Sequence, residues 1–164
     1  MSWNVLFLCT GNSARSIMAE TLLAVLGEGR FAAYSAGSHP SGRVQPLAAD
    51  LCANLGYPSE KLRSKSWDEY ASPDAPEMDF IITVCDNAAA EMCPVWPGMP
   101  TIAHWGVPDP AGVSGNDEEK RAAFREAMTT LRRRIELLMA LPLDKLDRLS
   151  IQEKLRQIAE PRTA

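Results

Sequence analysis

Val5-Leu6-Phe7-Leu8-Cys9-Thr10-Gly11-Asn12-Ser13-Ala14-Arg15-Ser16 leads directly into Ile17-Met18-Ala19-Glu20-Thr21-Leu22-Leu23. The continuous apolar run is typical of a buried strand, and the apolar spacing of the second segment predicts a helix. Cys9 therefore lies where a strand turns into a helix, and Arg15 follows six positions later at the helix start. This arrangement predicts a pocket for a tetrahedral oxyanion with a thiol nucleophile at its floor.

The predicted pocket favours an ionised thiol at Cys9. Backbone N–H groups at a helix N-terminus and the charge of Arg15 both stabilise a thiolate, so we expect a lowered pKa. The planar guanidinium can bind two oxygens of an anion at once. Gly11 is expected to adopt a positive φ, Asn12 tolerates the left-handed region, and Ser16 can donate a hydrogen bond to the sulfur. The predicted substrate-binding loop comprises Thr10, Gly11, Asn12, Ser13, Ala14, Arg15 and Ser16. The alternative is that Cys9 is a small buried apolar residue at a strand end.

Strands and helices alternate along the rest of the chain. This alternation predicts an α/β fold with a four-stranded parallel sheet and helices on both faces. Ligands bind such sheets at the carboxyl ends of the strands, where both Cys9 and Cys85 are expected. The predicted strands are 3–9, 31–35, 78–84 and 101–103, and the predicted helices are 16–27, 46–55 and 117–140.

The 164 residues are enough for one domain with a hydrophobic core, which we place at 1–142. Residues 143–164 are expected to form a C-terminal helical extension, with a helix from Asp144 to Ile158. Packing on the parent domain is the simpler interpretation of this extension, and a dimer contact is the alternative. Its predicted apolar stripe is Leu146, Leu149, Leu155 and Ile158.

Composition and net charge argue against several classes of function. Apolar residues make up 46% of the chain and charged residues 23%, as in ordinary globular proteins. The net charge of −4 argues against a nucleic-acid partner, and no apolar run suits a membrane span. The N-terminus lacks a basic signal-peptide region, which favours a cytoplasmic location. Arg132-Arg133-Arg134 is expected to be a solvated helix face.

The other three cysteines do not indicate a metal site, because zinc ligands in the usual spacing are missing. We expect no metal and no other cofactor. Cys85 and Cys93, eight positions apart, are either two unreactive cysteines or a transient disulfide pair. Cys52 lies on a predicted helix and is expected to be buried.

The segment around Cys9 resembles the opening of the low-molecular-weight protein tyrosine phosphatase superfamily, and is most similar to its arsenate reductases. The resemblance extends from about residue 3 to about residue 140. Two later motifs match the reductase branch: Tyr34-Ser35-Ala36-Gly37 and His104-Trp105-Gly106-Val107-Pro108-Asp109-Pro110-Ala111.

This resemblance implies a phosphotyrosine phosphatase I-like fold and reduction of arsenate to arsenite for arsenic detoxification, with phosphate as an analogue. It implies that Cys9 attacks arsenate and that Asp109 protonates the leaving oxygen. Cys85 then attacks Cys9, and Cys93 attacks Cys85. Thioredoxin, or glutaredoxin with glutathione, is the implied electron donor. Trp67 stands where some relatives carry an acidic residue for a monovalent cation, so no bound potassium is implied.

Two other functions remain open from the sequence besides reduction of arsenate. A phosphatase acting on phosphotyrosine needs only Cys9, Arg15 and Asp109, although Ala111 stands close to where such enzymes usually carry a tyrosine. An oxyanion sensor or carrier would leave the reactive thiol and the acid without a use. Asp109 itself has a simpler interpretation as a turn residue beside proline.

Overall fold

The computed structural model describes residues 2–86 and 96–160. Its sheet has the order β2-β1-β3-β4, with every neighbouring pair parallel. The predicted four-stranded parallel sheet is confirmed, with strand ends shifted by one or two residues. The strands are β1 (Trp3–Leu8), β2 (Phe31–Ala36), β3 (Phe80–Thr83) and β4 (Thr101–His104).

The strand register aligns the carboxyl ends along one edge. Leu8 of β1 lies beside Ala36 of β2 and Thr83 of β3, and Thr83 lies beside His104 of β4. The residues that follow these strand ends therefore meet at a single rim. Cys9 is one of them, at the end of the central strand β1.

Five α-helices are found among the described residues, and they cover the sheet unequally. They are α1 (Arg15–Leu26), α2 (Pro46–Asn54), α3 (Asp68–Ala71), α4 (Asp117–Met139) and α5 (Arg148–Ile158). Short 3-10 turns add Ser59–Lys61, Pro110–Gly112 and Leu143–Lys145. Alternation along β1 divides the core, since Val5 and Phe7 face the larger helical layer, whereas Leu6 and Leu8 face a smaller cluster with Trp96.

The C-terminal helix begins later than the sequence predicts. The carboxylate of Asp147 accepts a hydrogen bond from the backbone N–H of Ser150 at 2.7 Å and caps α5, so the helix starts at Arg148 and not at Asp144. The predicted apolar stripe is also wrong at Leu149, which is 82% exposed. The buried positions are Ile151, Leu155 and Ile158, which join the main core.

Helix α5 packs on the sheet domain. The indole N–H of Trp105, just after β4, donates a hydrogen bond to the carbonyl of Leu155 at 2.9 Å, and both residues are fully buried. Packing on the parent domain is thus the interpretation that the structure favours for this helix. Across the described ranges, no helix combines the length and the apolar character needed to cross a bilayer.

Candidate active site

Cys9 lies at the end of β1 and is only 5% exposed. Its backbone N–H donates a hydrogen bond to the carbonyl of Ala36 at 3.2 Å, which continues the pairing of β1 with β2 by one residue. Helix α1 begins at Arg15, and its N-cap residue Ala14 provides no side-chain cap. The first turn of α1 also carries no acidic side chain. No capping or acidic side chain at this helix start would therefore compete with an anion, and anion binding by the loop stays a prediction.

The loop between β1 and α1 is held from outside through its carbonyl groups. Three successive donors on the 39–45 segment bind these carbonyls at 2.9–3.0 Å, and the Ser64 hydroxyl donates to one of them at 3.1 Å. The pairs are His39 N with Thr10 O, Ser41 N with Gly11 O, and Gln45 N with Ser13 O. The backbone N–H of Gly11 is hydrogen-bonded to the Cys9 thiol.

Asn12 gives the loop its curvature. It adopts a φ of 44° and is fully buried. Its Oδ1 accepts from the Lys65 backbone N–H at 2.9 Å, and its Nδ2 donates to the Ser16 hydroxyl at 2.8 Å. The expectation of a positive φ at Gly11 is wrong, because the left-handed turn falls on Asn12. A hydrogen bond from Ser16 to the sulfur stays a prediction, and the Ser16 hydroxyl retains its own proton for it.

Gly37 fits under the loop because it has no side chain. A Cβ at this position would lie 2.5 Å from the Thr10 carbonyl oxygen and 2.7 Å from the Cys9 carbonyl oxygen. Both distances are far below van der Waals contact, so the backbone after β2 supports the loop at a separation that only glycine allows. This gives a physical reason for the glycine of the Tyr34–Gly37 motif.

Cys85 lies directly against this loop. The backbone N–H of Thr10 donates to the Cys85 sulfur at 3.3 Å, and the Thr10 hydroxyl lies 3.7 Å from the same sulfur. The side chains of Cys9 and Cys85 are themselves hydrogen-bonded. The expectation that both cysteines share one rim of the sheet is met. Cys93 lies outside the described residues, so its exchange with Cys85 stays a prediction.

The contact between the two thiols changes the expected ionisation of Cys9. The Cys85 thiol and burial raise the pKa of Cys9 above its ordinary value, whereas the Arg15 charge and the Gly11 backbone N–H lower it. The lowered pKa predicted from the sequence is therefore wrong for the loop with both thiols reduced. Two buried sulfurs in contact titrate as a pair, and the second charge is strongly disfavoured.

Arg15 links the loop to Asp109. Its Nη1 donates to the Val107 carbonyl at 2.8 Å, and its Nη2 lies 3.9 Å from Asp109 Oδ2. Asp109 Oδ1 accepts from the Ala111 backbone N–H at 3.0 Å, which fixes the carboxylate at the start of a 3-10 turn. Asp109 is in an extended conformation before Pro110, as expected. The thiol, the guanidinium and the carboxyl group are thus brought to one place.

A second arginine, Arg134, binds the backbone next to Val107, and its buried position was not predicted from the sequence. Arg134 was expected on a solvated face, yet it is 8% exposed and donates to the Gly106 carbonyl at 3.0 Å. Burial and the neighbouring Arg133 lower the pKa of Arg134. The spacing of Ala127, Leu131 and Leu138 around it on α4 places it on the apolar stripe, which was the available signal.

A buried polar cluster lies behind the loop, and it too was missed. Glu20 Oε1 accepts from the Ser35 hydroxyl at 2.7 Å and lies 3.7 Å from Lys65 Nζ, while Glu20 Oε2 accepts from the Tyr57 hydroxyl at 2.6 Å. Burial lowers the pKa of Lys65. Because the Lys65 backbone also binds Asn12, the cluster and the loop are connected through one residue. Within residues 2–86 and 96–160, no three metal-ligating side chains come together.

Comparison with known proteins places the chain in a family. The profile of the low molecular weight phosphotyrosine protein phosphatases matches residues 4–153. The arsenate reductase of Halalkalibacterium halodurans is 38% identical over 132 residues, which cover 80% of this chain and 91% of that protein. The chain therefore belongs to the low molecular weight phosphotyrosine protein phosphatase family.

Solved structures support the same assignment. An arsenate reductase in the phosphate-binding state superposes with a TM-score of 0.67 at 28% identity, covering 84% of this chain and 97% of that one. A low molecular weight phosphotyrosine phosphatase from Vibrio cholerae superposes with a TM-score of 0.60 at 21% identity, covering 80% of this chain and 90% of that one. The second likeness concerns the fold.

Proposed function

We propose that this protein is an arsenate reductase that converts arsenate to arsenite through a relay of cysteine thiols. The observation that carries the proposal is the contact of the Cys85 thiol with Cys9 inside an anion-binding loop. Hydrolysis of a phosphate ester needs one sulfur, whereas reduction of arsenic needs two that can join. The similarity to the Halalkalibacterium halodurans reductase supports the same activity.

In the first step, the loop amides and Arg15 bind arsenate with an oxygen pointing away from Cys9. The Cys9 sulfur forms a bond to arsenic, and the opposite As–O bond breaks. The attacking form of the sulfur is the thiolate, so the Cys9 thiol gives up its proton as the S–As bond forms. Asp109 delivers a proton to the leaving hydroxyl, which departs as water, and the proton from the Cys9 thiol restores Asp109 to its acid form, so the products are a Cys9–arsenate thioester and water.

In the second step, the Cys85 sulfur attacks the Cys9 sulfur. The S–As bond breaks, and its electron pair stays on arsenic, which passes from oxidation state five to three. The Cys85 proton goes to the departing arsenite, and a Cys9–Cys85 disulfide remains. Attack of sulfur on sulfur needs access along the bond that breaks. The hydrogen bond from the Thr10 backbone N–H, which holds the Cys85 sulfur against the loop, supports this step.

The last step of the proposal returns Cys9 to its thiol form. Cys93 attacks Cys85, a Cys85–Cys93 disulfide forms, and an external dithiol reduces it. Thioredoxin, or glutaredoxin with glutathione, has the required chemistry. This cycle needs a compartment that keeps thiols reduced, so we propose that the protein works in the cytoplasm. We also propose that residues 1–142 carry the reaction and that 143–164 form a helical extension that supports it.

Matched cysteine variants test this function. Purified protein is given arsenate with each thiol donor system in turn, and arsenite is measured; p-nitrophenyl phosphate hydrolysis is measured in parallel. Cys85→Ser should abolish arsenite release and spare ester hydrolysis, because hydrolysis needs only Cys9, Arg15 and Asp109. Cys52→Ala is the control, since Cys52 is fully buried and binds the Thr21 hydroxyl away from the loop.

The second candidate is hydrolysis of phosphotyrosine, because the sulfur, the guanidinium and the acid meet here independently of Cys85. Ala111 leaves no aromatic wall directly after the Asp-Pro pair, which disfavours a deep slot for a tyrosine ring. If ester hydrolysis is found and arsenite release is not, the phosphatase is the correct assignment. If both activities survive Cys85→Ser, the relay is refuted.

A further inference from the structure

A side-chain pair beside Cys85 plays no part in the steps described above. Asp86 directly follows Cys85, and its Oδ1 lies 2.9 Å from Nε2 of His104, the last residue of β4. Nδ1 of the same imidazole lies 2.7 Å from the hydroxyl of Thr83, the last residue of β3. Both ring nitrogens are therefore engaged, and the ring connects two neighbouring strand ends.

The direction of these hydrogen bonds follows from the groups involved. An ionised carboxylate can only accept, so His104 Nε2 carries a proton and donates it to Asp86. Thr83 is 4% exposed, and its hydroxyl fixes the plane of the ring. The orientation of the donor to Asp86 is thus determined by a buried residue. The carboxylate of Asp86 is 91% exposed, and an exposed ion pair adds little to stability.

Gly106 shows that the space around this pair is tightly limited. A Cβ at Gly106 would lie 2.8 Å from Asp86 Oδ1 and 2.9 Å from His104 Nε2. Its backbone is outside the left-handed region, so conformational freedom is not the reason for glycine here. The glycine leaves room for the hydrogen bond between Asp86 and His104.

The order of the strands explains how the Asp86–His104 pair can affect Cys85. Strand β3 lies between β1 and β4, and Cys85 follows the end of β3. On the β1 side, Thr10 binds the Cys85 sulfur. On the β4 side, His104 binds Asp86. The segment that carries the second thiol is thus held from both neighbouring strands.

We propose that His104 is a positioning residue for the Cys85 thiol: it holds the adjacent Asp86 and thereby keeps the Cys85 sulfur against Cys9. This inference rests on the proposed relay and assigns a part in it to a residue that touches neither sulfur. His104 contributes to the second step and leaves the first unchanged, because the loop, Arg15 and Asp109 are held by other contacts.

The test isolates the second step. In a Cys93→Ser background the relay stops at the Cys9–Cys85 disulfide, so each chain releases at most one arsenite. His104→Phe and Asp86→Ala in this background should slow that single release about tenfold, since small misplacement of a reacting group has effects of this order or larger. Phosphate affinity and p-nitrophenyl phosphate hydrolysis should stay within about twofold of the parent, because they report on the first step.

Two further variants separate positioning from general damage. Asp86→Asn keeps an oxygen that accepts from His104, so its release rate should lie between those of the parent and Asp86→Ala. Gly106→Ala removes neither polar side chain yet fills their space, and should slow release as His104→Phe does. Glu136→Ala, which breaks another exposed ion pair, with Arg132 on α4, is the matched control and should release arsenite at the parent rate.

Each outcome has a defined meaning. Release at the parent rate in both His104→Phe and Gly106→Ala would overturn the inference, as would an equal loss of ester hydrolysis. If the parent itself releases no arsenite, the proposed function fails. The inference is then judged by diamide oxidation of the Cys93→Ser protein, which needs only that the two sulfurs meet. Slower Cys9–Cys85 disulfide formation in the His104 variant supports it, and an unchanged rate refutes it.

Discussion

The side chain of Asn12 stabilises the curved backbone of the loop. Its left-handed conformation is unfavourable for most residues, although asparagine tolerates it better than others. Two side-chain hydrogen bonds, to the Lys65 backbone and to Ser16, offset that unfavourable conformation. The loop is therefore curved before any anion arrives, and binding does not have to supply the free energy of bending it.

Two substitutions at Asn12 should separate its conformational and hydrogen-bonding contributions. Asn12→Gly keeps the accessible φ and loses both hydrogen bonds, whereas Asn12→Ala loses both and adds about 1 kcal/mol of left-handed strain. A buried N–H without a partner is unfavourable by about 1–3 kcal/mol. Urea unfolding should thus rank the parent above Asn12→Gly and Asn12→Ala lowest. Equal stability of all three proteins would show that the loop does not depend on this side chain.

Gly37→Ala should weaken anion binding by pushing the loop away from β2. The added methyl group would meet the Thr10 carbonyl oxygen at 2.5 Å, so the backbone on one side must move. We expect phosphate affinity, measured by calorimetry, to fall at least about tenfold, since loop amides must point at the anion to bind it. Gly112→Ala is the control, because nothing lies within 4 Å of its added Cβ. Parent-like affinity in Gly37→Ala would contradict this explanation of the glycine.

Helix α5 shows how capping and burial together select one register. Asp147 caps its start, Ile151, Leu155 and Ile158 face the core, and Leu149 faces outward. The predicted apolar stripe mixed these two faces, because Leu149 and Leu155 lie six positions apart, which at about 3.6 residues per turn places them on different sides of the helix. Two acidic residues, Asp144 and Asp147, precede this helix, and it is the Asp147 carboxylate that accepts from the Ser150 N–H.

Leu155→Ala and Leu149→Ala form a matched pair on α5. Leu155 is fully buried, so its truncation should lower the free energy of unfolding by about 2–5 kcal/mol. Leu149 is 82% exposed, and its truncation should change that free energy by no more than about 0.5 kcal/mol. Chemical denaturation of both variants checks the ranking. A larger loss at Leu149 would mean that the exposed face of α5 is covered in solution.

The strands and long helices could be predicted because each depends on neighbours in the sequence. Apolar runs such as Val5 to Leu8 identify buried strands, and the Cys9–Arg15 spacing identifies the loop. The buried roles of Lys65 and Arg134 could not be predicted in the same way. Lys65 binds Asn12 across 53 positions and Arg134 binds Gly106 across 28, and a charged residue in isolation is usually exposed.

Several buried or half-buried acids have raised pKa values in the folded protein. Burial raises the pKa values of Cys52 and Tyr57, and raises that of Tyr70 to about 12; the Cys85 thiol and burial raise that of Cys9. An acid whose pKa is higher in the folded protein stabilises the fold as long as the unfolded chain is also protonated. That stabilisation begins to fall as the pH rises above the pKa of the group in the unfolded chain, and it is fully lost only above the raised pKa in the folded protein.

Stability should consequently fall on the alkaline side. The ordinary values are 9.0 for cysteine and 10.0 for tyrosine, so these groups should lower the free energy of unfolding only as the pH rises above about 9. Lys65 acts in the opposite direction, because its pKa is lowered, and it offsets part of the decline. Urea unfolding at pH 7.5 and pH 10.5 under reducing conditions checks this. Tyr57→Phe should reduce the decline, and undiminished stability at pH 10.5 would contradict it.

The relay from Cys9 to Cys85 is tested most directly by mapping the disulfide after a single turnover. Cys93→Ser protein, fully reduced, is mixed with arsenate in the absence of other thiols, and released arsenite and cross-linked peptides are measured by mass spectrometry. We predict one arsenite per chain and a disulfide joining Cys9 to Cys85, with Cys52 still a thiol. Arsenite release without that disulfide, or no release from protein that still binds phosphate, would contradict the relay.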